Sequence, residues 1–170
     1  MIKKNPLVLL LLLVLASCTG TQSTTSETAP AAKAEAAVSP AKTHIDAVRQ
    51  QFAPDKRVAL FTVEPKGDVL RGETNMPEAK AELVKRLQAA NVSFVDSIQV
   101  LPEAGLGGKH HAIVTISVAN LRSQPRHSAE LATQATMGTP LQVWKKDDGW
   151  YLVQTPDKYL AWVDYGGIAL

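Results

Sequence analysis

The chain holds one cysteine, Cys18, so no internal disulfide can staple whatever folds beyond it, and that fold must stand on apolar packing. The position of the thiol gives it another use. Lys3 and Lys4 precede an apolar run from Leu7 to Leu15, which closes in Leu15-Ala16-Ser17-Cys18. A basic start, a short apolar stretch and small residues before a cut form a secretory signal, because the run is too short to cross ~30 Å of hydrocarbon. With cysteine directly after the small residues, the pattern reads as a bacterial lipoprotein signal. Residues 1–17 are expected to be removed, leaving Cys18 first and carrying acyl chains such as palmitate, each buried methylene contributing ~0.8 kcal/mol to anchoring. Thr19 follows, with no aspartate to favour inner-membrane retention. The expected location is therefore the cell envelope, lipid-anchored, at the outer membrane facing the periplasm or the cell surface.

Residues 18–42 read as the lipidated cysteine and a flexible linker. From Thr19 to Lys42 the chain is almost wholly small, polar and charged, with Val38 as its one large aliphatic residue, too little to offset the entropy of ordering. At ~5–6 Å times the square root of its length, such a tether holds a folded part some tens of ångströms from a bilayer. Removing the signal takes Lys plus Arg from 18 to 16, equal to Asp plus Glu. Near-neutral charge, without a basic run interleaved with aromatics, excludes nucleic acid as a partner.

Residues 43–117 read as a small α+β domain. Thr43 caps a short helix with Ile45, Val48 and Phe52 on one face, and Pro54 ends it. Arg57 to Val63 reads as a strand, and Pro65-Lys66-Gly67-Asp68 turns into Val69-Leu70-Arg71. The clearest helix has Asn75 as cap, Pro77 in its first turn and Glu78 three residues after the cap. Met76, Ala79, Leu83, Leu87 and Ala90 form its apolar face, and Asn91 closes it. Further strands are expected at Val92 to Leu101 and His111 to Val118, giving helix on sheet.

At Val118 the periodicity changes. Strands at Leu141 to Lys146, Trp150 to Thr155 and Tyr159 to Val163 alternate with the turns Asp147-Asp148-Gly149 and Pro156-Asp157-Lys158, after a long loop from Arg122 to Gly138. Residues 118–170 thus read as a small SH3-like β-barrel, with Trp144, Trp150 and Trp162 filling or covering its core.

The runs Val118-Ala119-Asn120-Leu121-Arg122-Ser123-Gln124-Pro125, Ser128-Ala129-Glu130-Leu131-Ala132-Thr133-Gln134 and Gly149-Trp150 through Pro156-Asp157-Lys158-Tyr159 to Val163 resemble a bacterial SH3 (SH3b) domain. More narrowly, they resemble the SH3b region that precedes the catalytic domain of NlpC/P60 cell-wall peptidases, which cut γ-D-glutamyl bonds in peptidoglycan stem peptides. Ala53-Pro54-Asp55-Lys56-Arg57 and Asp96-Ser97-Ile98 resemble the amino-terminal region of the same proteins. The resemblance implies that Glu130 and Tyr159 bind ligand, recognising the amino end of a stem peptide. A carboxylate pairs with an ammonium, and a tyrosine offers an apolar face and a hydroxyl. Read on their own, Glu130 can equally brace the long loop and Tyr159 can begin a strand as a packing residue. Lys158 stands where the family carries glycine, which strains the turn if φ is positive there.

Those peptidases need a cysteine nucleophile and a histidine. No cysteine remains after lipidation, and the chain stops at Leu170, where a catalytic domain would be expected to start. His44, His110, His111 and His127 lack HExxH-like spacing, and no Gly-x-Ser-x-Gly elbow occurs. The expectation is a non-catalytic module without metal or other cofactor. Its expected partners are the membrane, through the lipid, and either peptidoglycan stem peptides or a cell-wall hydrolase. The alternative is the recognition part of an NlpC/P60-type peptidase whose catalytic domain is missing or separately encoded.

Overall fold

The computed structural model describes residues 40–170. The signal, Cys18 and the linker up to residue 39 lie outside the described residues. Helix α1, Pro40–Phe52, buries Ala41, Ile45 and Val48 on one face. It opens at Pro40 rather than at Thr43, because Ala41 extends the same apolar stripe by one turn and Lys42 pairs with Asp46 at 3.1 Å one turn on. The last residues assigned to the linker are thus helical.

Strands β1 (Glu64–Lys66), β2 (Val69–Thr74) and β3 (Val95–Val100) form a three-stranded sheet in that order. β1 and β2 make an antiparallel hairpin, while β2 and β3 run parallel, joined through helix α2, Pro77–Ala89. Ala79, Leu83 and Leu87 of α2 share one core with α1, Leu70 and Ile98. Each fully buried leucine there is worth about 1.5–3 kcal/mol relative to exposure.

Asn75 does not cap α2. Met76 occupies the cap position without a side-chain bond, and the Asn75 side chain instead accepts from the Leu60 amide at 2.9 Å. The other end follows the sequence: Asn91 adopts φ 52°, and the amides of Asn91 and Val92 donate to the Gln88 and Leu87 carbonyls, a Schellman closure. The segment Arg57 to Val63, expected as a strand, is extended but pairs with β2 through a single bridge, Phe61 to Thr74.

The second sheet contains β4 (His111–Val114), β5 (Val118–Arg122), β6 (Leu131–Thr136), β7 (Pro140–Asp147), β8 (Trp150–Gln154), β9 (Leu160–Asp164) and β10 (Ile168–Ala169). Its order is β10-β4-β7-β8-β9-β5-β6, and every pairing is antiparallel. The hydrogen-bond ladder is open, with β10 and β6 at its edges, and β5 and β9 meet at one residue pair, Arg122 and Trp162. The architecture is α+β with an SH3-like strand set.

Two further expectations change here. The strand read from His111 to Val118 divides into β4 and β5, and β4 pairs with β7 rather than with the first sheet. The long loop from Arg122 contains β6, whose sequence Leu-Ala-Thr-Gln-Ala-Thr buries only Ala135 and so carries little apolar alternation. The core is aliphatic, built from residues such as Leu121, Val143, Val153 and Val163. Around that cluster Trp150 is buried and Trp144 and Trp162 are half-buried, in keeping with tryptophans that cover the core. The turn Asp148-Gly149, with φ 35° and 83°, has the doubly positive φ of a tight hairpin.

Gly72 in β2 marks where the extended segment crosses closest. Its φ is 138°, and a Cβ there would lie 2.5 Å from the Thr62 carbonyl oxygen. Gly72→Ala is expected to destabilise the fold by about 2 kcal/mol or more through strain and overlap. The urea midpoint, at unchanged m-value, measures it.

Candidate functional site

The turn between β8 and β9 is built around Thr155, which is buried. Its amide donates to the Tyr159 carbonyl at 3.0 Å, and its hydroxyl oxygen accepts from the Tyr159 amide at 3.1 Å. Thr155 also hydrogen-bonds the Asp157 carboxylate. The Gln154 side-chain amide donates to the Lys158 carbonyl at 2.8 Å and to the Val58 carbonyl at 2.9 Å. These bonds hold Lys158 at φ 73°, in the left-handed region, and fix the direction in which half-buried Tyr159 leaves the turn.

Glu130 arrives from the other side. Between β5 and β6 the chain makes a compact loop anchored by buried Ala129, whose carbonyl accepts from the Arg122 guanidinium at 2.8 Å. The Ser123 amide donates to the Glu130 carbonyl at 2.9 Å. Glu130 is exposed, and its carboxylate makes no ion pair among the described residues.

Glu130 and Tyr159 line one groove of about 640 Å³, together with Lys56, Arg57, Leu131 and Leu160. Lys56 and Arg57 come from the segment after α1, far away in sequence. The Leu160 amide donates to the Arg57 carbonyl at 2.7 Å, seating that segment against β9. The Arg57 guanidinium lies 6.0 Å from the Tyr159 ring centroid, within cation–π range. It also grips Asp55 through two nitrogens, at 3.0 and 2.7 Å. That side-chain bond lowers the Asp55 pKa to about 2 and raises that of Arg57, so the pair stays ionised across the physiological range.

A second cavity, of about 170 Å³, continues the groove past Lys56, Ser123 and Leu160 to Glu73, Lys145 and Trp162. There Lys145 hydrogen-bonds Glu73, and its ammonium lies 5.3 Å from the Trp162 ring centroid.

The histidines stand apart from the groove. His44 lies on α1, His110 and His111 lie at β4, and His127 meets the Trp150 ring edge-on at 4.9 Å. No three His, Cys, Asp or Glu side chains converge on a metal position among the described residues. Cys18 lies outside those residues. Lys56 entered the sequence reading only within the resembling run Ala53 to Arg57, and Arg57 there and as the first residue of an expected strand. Nothing in their spacing points to Glu130, because only the folded chain brings them to one groove.

The fold is α+β, and its SH3-like sheet lines one groove together with the segment after α1. Residues 121–166 match the family described as the bacterial dipeptidyl-peptidase SH3 domain. The match covers about a quarter of the chain and takes in both Glu130 and Tyr159. This stretch is similar to that domain. No curated protein matches the chain.

Lys158 sits where a left-handed backbone favours glycine, and both bonds it makes in the turn use its own amide and carbonyl, not its side chain. Lys158→Gly is expected to raise stability by about 0.5–1 kcal/mol, strain relief outweighing the added entropy of the unfolded chain. Thermal unfolding of the two proteins compares them directly.

Proposed function

We propose that this protein is a non-catalytic, lipid-anchored recognition module of the cell envelope whose groove takes the free amino end of peptidoglycan stem peptides. The observation that carries the reading is the convergence of Glu130, from the β5–β6 loop, and Tyr159, from the β8–β9 turn, on one groove. Glu130 supplies a carboxylate with no competing cation within ion-pair distance among the described residues, suited to a peptide ammonium. Tyr159 supplies an apolar face and a hydroxyl, and exposed Leu131 and half-buried Leu160 add apolar lining beside it. A volume of about 640 Å³ is in the usual range for small-molecule sites. Acylation of Cys18 would hold the module at the outer membrane, on the tether that follows it.

The match to a domain described as part of dipeptidyl-peptidases favours one second reading. In it the same groove presents the peptide to a hydrolase of the NlpC/P60 type encoded on another chain.

Calorimetric titration with the tripeptide L-alanyl-γ-D-glutamyl-lysine is expected to show saturable binding. Glu130→Gln should weaken it by about tenfold, the loss of one charge-assisted bond, and Tyr159→Phe by a few-fold. N-acetylation of the peptide should abolish it. Binding that survives both substitutions removes the amino end from this groove.

Anchoring is tested separately in cells given radiolabelled palmitate. The wild-type chain should incorporate label and fractionate with the envelope, whereas Cys18→Ala should do neither. Equal fractionation of the two would overturn the lipid anchor.

A further inference from the structure

We infer that the groove selects peptides carrying a carboxylate beside the free amino end, and that Lys56 is the residue that reads it. The inference rests on the reading of Glu130 and Tyr159 as the amino-end site.

Five charged residues face the groove and its continuation: Lys56, Arg57, Glu130, Glu73 and Lys145. Two of the three cations are already neutralised. Arg57 is clamped on Asp55, and Lys145 is bonded to Glu73. Lys56 has no anionic partner and no side-chain hydrogen bond among the described residues. Lys56 also lines both cavities, which places it at their junction.

The backbone beneath it is fixed. The amides of Val58 and Ala59 donate to the Asp55 carbonyl at 3.1 and 3.2 Å, and the Arg57 amide donates to the Asp55 carboxylate at 2.9 Å. With the Arg57 carbonyl held by Leu160, the flexible Lys56 side chain swings from a stationary Cα. An uncompensated anion and an uncompensated cation lining one groove make it complementary to a zwitterionic segment. A peptide with its ammonium on Glu130 then brings the carboxylate of its second residue to Lys56. Its third residue runs towards Trp162.

The test uses two tripeptides, L-alanyl-γ-D-glutamyl-lysine with the α-carboxylate of its second residue free, and the same peptide with that group amidated. Wild-type protein should bind the free acid about tenfold more tightly, and the preference should shrink as salt is raised. Lys56→Gln should bind both peptides equally, at the affinity of the amide, while Lys56→Arg keeps the preference. Because Lys56 is exposed, matched circular dichroism spectra are expected for all three proteins. A wild-type protein indifferent to amidation, or a Lys56→Gln variant that keeps the preference, overturns this inference and leaves the amino-end site standing. Failure of both peptides to bind overturns both readings.

Discussion

The segment from Arg57 to Val63 is hydrogen-bonded to both layers of the protein, and the groove exists because of it. On one side the Thr62 amide donates to the Glu73 carbonyl, and Leu60 and Asn75 exchange bonds. On the other, the carbonyls of Arg57 and Val58 accept from Leu160 and the Gln154 side chain. The half-buried Glu73–Lys145 pair reinforces the seam beside Trp162. With both partners mostly shielded from water, losing either leaves an uncompensated charge. Glu103 adds a third tie, its amide donating to the Trp144 carbonyl and its carboxylate accepting from the Lys146 amide at 2.6 Å. One groove wall therefore comes from the helical layer and the other from the SH3-like sheet.

This seam explains what the sequence could and could not say. Local signals were legible: the stripes of α1 and α2, the Asn91 closure, the Asp148-Gly149 hairpin and the three strands after Pro140 all follow from contacts between near neighbours. Non-local choices were not. The apolar alternation of Arg57 to Val63 reads as a strand because Ala59, Phe61 and Val63 are buried, yet its hydrogen bonds are divided between two layers, so no regular ladder forms. His111 to Val114 alternates equally well for either sheet, and only the position of β7 decides which it joins. β6 escaped notice because an edge strand with one buried alanine has almost no apolar pattern to read.

The candidate site divides in the same way. Glu130 and Tyr159 were singled out from motif positions, and the structure brings them to a common groove. Their neighbours Lys56 and Arg57 come from the far side of the chain, and no spacing rule links them to β6 or to the β8–β9 turn. Asn75 is the reverse case. Its position signals a helix cap, but the amide of Leu60 reaches its side chain first, and that bond serves the seam instead of the helix.

The strained turn at Lys158 follows from the same economy of contacts. A non-glycine residue at φ 73° is disfavoured by roughly 1–2 kcal/mol, so the surrounding bonds must over-determine it. They do: Thr155 bonds the turn through its amide, carbonyl and hydroxyl, and Gln154 joins the Lys158 carbonyl to Val58 across the seam. Gln154 therefore ties the conformation of the turn that aims Tyr159 to the placement of the segment that carries Lys56 and Arg57. One side chain thus bonds to both walls of the groove. Without that link, fewer bonds would fix the spacing between Glu130, Tyr159 and Lys56 across the two layers.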